Sequence, residues 1–239
     1  MMNEKHIVMF SGGKDSTALL LKMIELNMQI DEIISVDTGV EFPEMYNHIK
    51  KVENFIKQPI TILKFDESFE HYMTKHTKTK GKNKGVASGY GWPDFKNRWC
   101  TTYKKNVITN YMKKYKEFKI IEYHGIAVDE LERTKKNNDG RNIKYPMVDW
   151  DMTEQQALAY CYNLNFDWGG LYEKFVRVSC YLCPLSRISE LEVVYNEFPD
   201  LWINMQRIDK QSYRDFRSDY TLDELTYKFK EKASQKKLF

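Results

Sequence analysis

The feature that most narrows what this chain can fold into is the heptad Ser11-Gly12-Gly13-Lys14-Asp15-Ser16-Thr17. It follows a short apolar strand, His6 to Phe10, and opens a helix over Asp15 to Glu25 in which Ala18, Leu19, Leu21, Met23 and Ile24 recur at helical spacing. Two adjacent glycines let the backbone turn sharply and present bare amides to an anion, and the helix N-terminus adds its own unpaired amides and partial positive charge. Ser11, Ser16 and Thr17 supply hydroxyls, Lys14 a point charge, and Asp15 a carboxylate that caps the helix or holds Mg2+ against phosphates. The heptad lacks the four-residue spacer of the nucleoside-triphosphate P-loop.

The elements around it set the architecture. Apolar strands over Glu32 to Val36, Pro59 to Phe65 and Lys119 to Tyr123 alternate with helices over Pro43 to Phe55 and Thr102 to Tyr115. That alternation with short connections predicts an α/β fold, a five-stranded, mostly parallel sheet with helices on both faces. A nucleotide-binding domain over 1–185 is expected, followed by a small helical extension over 186–239. Thr153 and Gln156 form a capping-box signature for a helix over Thr153 to Tyr162. Thr74 to Gly91 holds five lysines (Lys75, Lys78, Lys80, Lys82, Lys84), four glycines and no acid, and reads as a solvated loop or as a cationic lid over an anionic substrate. The tail from Thr221 reads as a lysine-rich helix.

Bulk composition excludes more than it identifies. With 42% hydrophobic and 14% aromatic residues the chain can bury one sizeable core. A net charge of +3 does not by itself demand a nucleic-acid partner. The apolar run Ile7 to Phe10 is too short for a signal-peptide core or a membrane span, so no membrane association and a cytoplasmic setting are expected. Four cysteines without an export signal point to free thiols, a metal or redox chemistry.

The heptad resembles the pyrophosphate-binding loop of the PP-loop, or adenine-nucleotide alpha-hydrolase, superfamily, whose members bind ATP or a sulfonucleotide and act at the α phosphate. Asp37-Thr38-Gly39 with Glu41-Phe42-Pro43-Glu44, then Tyr145-Pro146-Met147-Val148-Asp149-Trp150, Thr153-Glu154, Asn163 to Tyr172 and Cys180-Tyr181-Leu182-Cys183-Pro184, are similar to the phosphoadenosine phosphosulfate (PAPS) reductase family. The resemblance runs from residue 6 to about 185. It implies an adenine-nucleotide site built from Ser11 to Thr17 with Asp37, Thr38 and Gly39 along the crevice. In Gly125 to Arg133 it implies a segment facing the nucleotide, with Arg133 as an oxyanion clamp.

In the cluster-bearing sulfonucleotide reductases of that family a Cys-Cys pair precedes a Cys-x-x-Cys. Here Trp99-Cys100 stands in the place of the pair and Cys180 and Cys183 form the Cys-x-x-Cys. The resemblance therefore implies a [4Fe-4S] cluster on Cys100, Cys180 and Cys183 with one iron lacking a protein ligand, and makes zinc the lesser alternative. Lys104 and Lys105 follow Cys100 and would raise the local potential; Cys161 reads as a buried thiol. The family's C-terminal Glu-Cys-Gly-x-His motif has no counterpart, since no cysteine follows Cys183 in this sequence.

The leading expectation is an ATP pyrophosphatase. It would use Mg-ATP, with Lys14, Asp15, Lys104 and Arg133 acting on the reacting groups, to adenylate a substrate for iron-sulfur-assisted sulfur transfer to a nucleic acid. The alternatives are an adenosine 5'-phosphosulfate or PAPS reductase working with a partner's thiol, and a nucleotide sensor without turnover. A sulfur-donor or reductant protein is an expected partner.

Overall fold

The computed structural model of the protein describes residues 3–79, 84–135 and 140–236. Its residues group into two compact units, each assembled from separate stretches of chain. The first contains Met1–Asp37, Glu41–Lys64 and Asn106–Val178; the second contains Thr38–Val40, Phe65–Lys105 and Ser179–Phe239.

The first unit is built on β1 (Glu4–Met9), α1 (Lys14–Glu25), β2 (Glu32–Asp37), α2 (Pro43–Ile56) and β3 (Ile60–Lys64). Of the elements α3 (Phe69–Thr74), α4 (Trp99–Met112), β4 (Lys119–His124) and β5 (Ile143–Lys144), α3 belongs to the second unit, and α4 contributes residues to each. The strands lie in the order β3-β2-β1-β4-β5 and every pairing is parallel. The chain steps from β1 outward to β3 and then crosses back to β4. Right-handed crossovers therefore put α1 and α2 on one face and α4 on the other.

Side chains alternate accordingly. Ile7, Ile34 and Leu63 are buried under Val107, Ile108 and Tyr111 of α4, while Val8 and Phe10 point to the opposite face and are also buried. The reversal of direction between β1 and β4 makes the carboxyl end of β1 the place where an open parallel sheet holds a ligand. The heptad starts there.

The rest of the first unit is α5 (Pro146–Asp149), α6 (Glu154–Asn163) and α7 (Leu171–Lys174). The Thr153 hydroxyl accepts the Gln156 amide and the Gln156 side chain takes the Thr153 amide, the expected capping box. The second unit has α3, the start of α4, α8 (Ile188–Glu197), α9 (Pro199–Asp209) and α10 (Leu222–Lys236). Among the described residues no helix is long and apolar enough to cross a membrane. Within the lysine-rich segment, Thr77 bridges antiparallel to Ala87 and the Lys78 amide donates to the Val86 carbonyl at 3.1 Å, so its two arms pair as a hairpin. Lys80 and Lys82 lie outside the described residues, as do residues 237–239 of the expected tail helix.

Glu32, at the start of β2, accepts hydrogen bonds from the hydroxyls of Tyr111, Tyr115 and Thr61. Burial pushes its carboxyl up, but these donors and Lys114 outweigh burial and hold it below its ordinary value of 4.5. That contribution to stability is complete above the ordinary value and is lost as pH falls through the lower folded one. Glu32→Gln should cost about 1–3 kcal/mol at neutral pH. Denaturant titrations should show the difference from the parent shrinking towards pH 3.

Candidate nucleotide and thiol sites

In the first unit the heptad forms the turn from β1 into α1. Gly12 adopts φ +78°, a conformation costly for any side chain, and a Cβ there would press on Met45 and Ile49 at 3.1 and 3.2 Å. Gly13 is the N-cap of α1 and has no side chain with which to cap the helix. The loop is braced from within: the Ser16 hydroxyl takes the Ser11 amide at 3.1 Å, meets the Ser11 hydroxyl at 2.9 Å and donates to the Gly13 carbonyl at 3.0 Å.

It is braced from behind as well. The Trp168 indole N–H donates to the Gly12 carbonyl at 2.7 Å. Trp168 itself sits at φ 52°, strained for a bulky residue, and its ring stacks 4.4 Å from that of His48. His48 Nε2 in turn meets the Thr17 hydroxyl at 3.0 Å. Burial pushes the His48 pKa down to about 3, so the imidazole is neutral at physiological pH. Thr17 is fully buried and supports the loop from this side.

On the open side, Lys14 Nζ pairs with Glu154 Oε2 and lies 3.2 Å from Asp15 Oδ2. Burial would lower the Lys14 pKa, but the two carboxylates more than offset it and the ammonium is held above its ordinary value. Asp15 is raised in spite of Lys14, because burial dominates and Glu154 and Glu130 add like charge. The two shifts are consistent, with the carboxylates deciding for the lysine and burial for the aspartate. Asp15 Oδ1 is buried and makes no hydrogen bond among the described residues. An oxygen in that condition, beside a helix N-terminus and a lysine, suits a divalent cation bound with phosphates. The Lys14 amide donates to the Tyr172 hydroxyl at 2.8 Å.

Beside the loop a cavity of about 380 Å³ is lined by Ser11, Asp37, Met45, Tyr46 and Lys64, a size ordinary for small-molecule sites. Tyr46 donates to Asp37 at 2.8 Å, and Lys64 stands 3.8 Å from the same carboxylate. Arg133 pairs with Glu130, whose charge is felt at Asp15, so the expected clamp is joined to the loop through one ion pair. Glu154, Tyr172, Trp168 and His48 were not singled out by sequence reasoning. Glu154 and Tyr172 lie within stretches that carry the family resemblance, but nothing local marks them as partners of a loop some 140 to 160 residues earlier.

The second unit holds the three expected ligand cysteines. The Cys183 amide donates to the Cys180 carbonyl at 3.2 Å, the tight turn of a Cys-x-x-Cys. Burial raises the Cys183 thiol, the Leu185 amide lowers it, and Cys100 raises it again, which puts these two sulfurs within each other's field. Thr38, expected along the nucleotide crevice with Gly39, belongs to this unit, and its hydroxyl lies 3.7 Å from Cys180 Sγ. Trp99, in the place of a family cysteine, is buried, donates to the Gly91 carbonyl at 2.9 Å and packs against Phe69. Lys104 stands one helical turn after Cys100 on α4.

None of the four cysteines is in a disulfide. Cys161 is buried, with its thiol pushed up to about 12, which makes it the inert one, as expected. Among the described residues no three His, Cys, Asp or Glu side chains are already gathered as a metal-ligand group. The donor chemistry of Cys100, Cys180 and Cys183, three half-buried thiols with an amide directed at Cys183, fits iron and sulfide.

A Cβ on Gly125, just past β4, would lie 2.7 Å from the Ser16 amide nitrogen and 2.8 Å from the Asp15 carbonyl, backbone atoms that cannot step aside. Gly125→Ala should therefore displace the start of α1. The expected outcome is a lowered melting temperature and, for the nucleotide expected at this loop, at least a tenfold loss of affinity by calorimetry.

Two uncharacterized proteins of Methanocaldococcus jannaschii are similar to the chain. One is 28% identical over 214 residues, which is 84% of this chain and 41% of the relative. The other is 28% identical over 236 residues, 93% of this chain and 53% of the relative. The chain thus spans about half the length of the curated relatives it matches.

Among solved structures, PAPS reductase from Candida auris in its phosphate complex is 17% identical with a TM-score of 0.47, covering 71% of this chain and 77% of that one. The U34-tRNA thiolase NcsA from Methanococcus maripaludis with its [4Fe-4S] cluster is 13% identical with a TM-score of 0.45, covering 87% and 72%. The phosphoadenosine phosphosulfate reductase domain matches residues 5–186, and with the loop, the parallel sheet and the cysteine pattern in the same stretch, the chain belongs to that family.

Proposed function

We propose that this chain is an ATP pyrophosphatase that adenylates an acceptor for sulfur transfer, with a nucleic acid as the acceptor. The observation that carries the reading is the loop itself: a glycine turn with an uncapped helix N-terminus, a lysine between two carboxylates, and a buried carboxylate oxygen without a hydrogen bond. The amides of the turn and Lys14 bind the β and γ phosphates and carry the charge that develops as pyrophosphate leaves. An acceptor oxygen attacks the α phosphorus, the bond to the bridging oxygen breaks, and AMP remains on the acceptor until a sulfur nucleophile displaces it.

Lys14 must exchange part of its contact with Glu154 for phosphate oxygens, and Tyr172 must yield the Lys14 amide, so both are positioned to report on occupancy. Bound Mg2+, held by Asp15 and Glu154, would neutralise the leaving pyrophosphate. Cys100, Cys180 and Cys183 would hold a [4Fe-4S] cluster, which would supply the sulfur-transfer chemistry when bound.

Family membership favours a second reading, reduction of a sulfonucleotide with a thiol supplied by a partner. The products separate the two. With ATP and a competent acceptor, AMP and pyrophosphate are expected, with Lys14→Ala lowering turnover at least a hundredfold; ADP and phosphate would sink the first reading. Sulfite released from a sulfonucleotide in the presence of a dithiol would establish the second.

Anaerobic purification should yield iron and acid-labile sulfide, close to four of each per chain, with a broad visible absorbance. Cys183→Ser should abolish both and Cys161→Ser should leave both intact.

A further inference from the structure

We propose that the surface running from the paired arms of the lysine-rich hairpin to Arg98 is the docking strip for a single-stranded nucleic acid. The inference rests on the reading of the acceptor as a nucleic acid and names the face that would hold it. The first observation is charge. Residues 74 to 105 carry nine lysines and arginines against one acid, Asp94, in a chain whose whole balance is only +3, so the remainder is net negative. That one acid is neutralised, because Asp94 pairs with Arg214 and accepts the Lys96 and Asn97 amides at 2.7 and 2.6 Å.

The second observation is what lies between the cations. Phe95 is 77% exposed and the Arg98 guanidinium stands 5.6 Å over its ring; Tyr213 is 53% exposed and Lys78 Nζ stands 4.4 Å over its ring. The Tyr213 hydroxyl donates to the Tyr90 carbonyl at 3.0 Å and so holds its ring, and the backbone at Phe95 lies in the turn that the Asp94 carboxylate closes.

The pieces are contiguous. Lys78 touches Tyr213, the next residue Arg214 reaches Asp94, and Asp94 adjoins Phe95 and Arg98. Arg98 stands two residues before Cys100, which brings the end of the strip to the first of the thiols. All of these residues belong to the second unit.

Cations spaced along a path meet a phosphate backbone, and exposed rings flanked by cations are platforms for unpaired bases. A duplex keeps its bases stacked internally and cannot use the rings, which selects a single strand. An acidic peptide would meet the charges but leave Phe95 and Tyr213 without a planar partner.

The test is fluorescence anisotropy of the full chain with labelled 20-nucleotide RNA and DNA strands of unstructured sequence, the matching duplexes, and anionic phosphatidylserine vesicles, from 50 to 200 mM salt. Single strands should bind at least tenfold more tightly than duplexes, and the RNA and DNA arms tell which sugar is preferred. Phe95→Ala should weaken binding about tenfold at all salt concentrations. Lys78→Ala should weaken it and reduce the slope of log affinity against log salt by about one. Both variants should keep the parent's melting temperature and ATP affinity.

Variants that bind like the parent would remove the strip and leave the nucleic-acid acceptor standing. A parent that binds no nucleic acid, or binds vesicles in its place, would overturn the strip and the acceptor together, while the AMP and pyrophosphate assay still judges the nucleotide chemistry separately.

Discussion

The carbonyl of Gly12 holds the first unit's chemistry together. A turn that offers its amides to an anion leaves its carbonyls pointing inward, and an inward carbonyl without a donor costs about 1–3 kcal/mol. The Trp168 indole meets that requirement at 2.7 Å, and to do so it accepts a left-handed backbone and stacks on a neutral, buried His48. The glycine loop can therefore stay open towards its ligand because a strained tryptophan closes it from behind. Gly125 adds the other restraint, since only a residue without a Cβ lets the end of β4 approach the first turn of α1 so closely.

Electrostatics at the mouth of the loop follow from the same economy of space. Lys14 is buried, which by itself lowers its pKa; Asp15 and Glu154 more than offset this and hold the ammonium above its ordinary value. Asp15 bears the consequence, crowded by Glu130 and Glu154 and left with one oxygen unbonded among the described residues. The arrangement is poised for an anion to take over Lys14 and for a cation to relieve Asp15, which is what a magnesium-bound polyphosphate provides.

In the second unit the substitution of Trp99 for a cysteine has a physical role. The indole fills an aromatic core with Phe69, Tyr72 and Tyr90, and its N–H satisfies the Gly91 carbonyl. The position next to Cys100 is thus given to packing, and Cys100, Cys180 and Cys183 are the thiols of this unit.

How much of this was legible in the chain varies element by element. The heptad, the strands that pair as β1 to β4, the helices between them and the Thr153 capping box are local patterns, and local backbone preference and side-chain period fix them. α4 begins at Trp99, three residues before the periodicity suggests, because Trp99 is anchored by its own tertiary contacts. β5, two residues long, exists only because Glu122 and Tyr123 of β4 offer it an edge, and no pattern of its own announces it.

The same division holds at the sites. Sequence determined that Ser11 to Thr17 turns from a strand into a helix with bare amides and a lysine, because those properties belong to neighbouring residues. Only the tertiary structure decided that Glu154 holds Lys14, that Tyr172 accepts its amide and that the Thr38 hydroxyl lies beside Cys180. These pairings join residues more than a hundred positions apart, whereas Arg133 meets Glu130 as a local pair three residues apart. Such contacts depend on where the sheet and its crossovers carry the chain, which no local periodicity encodes.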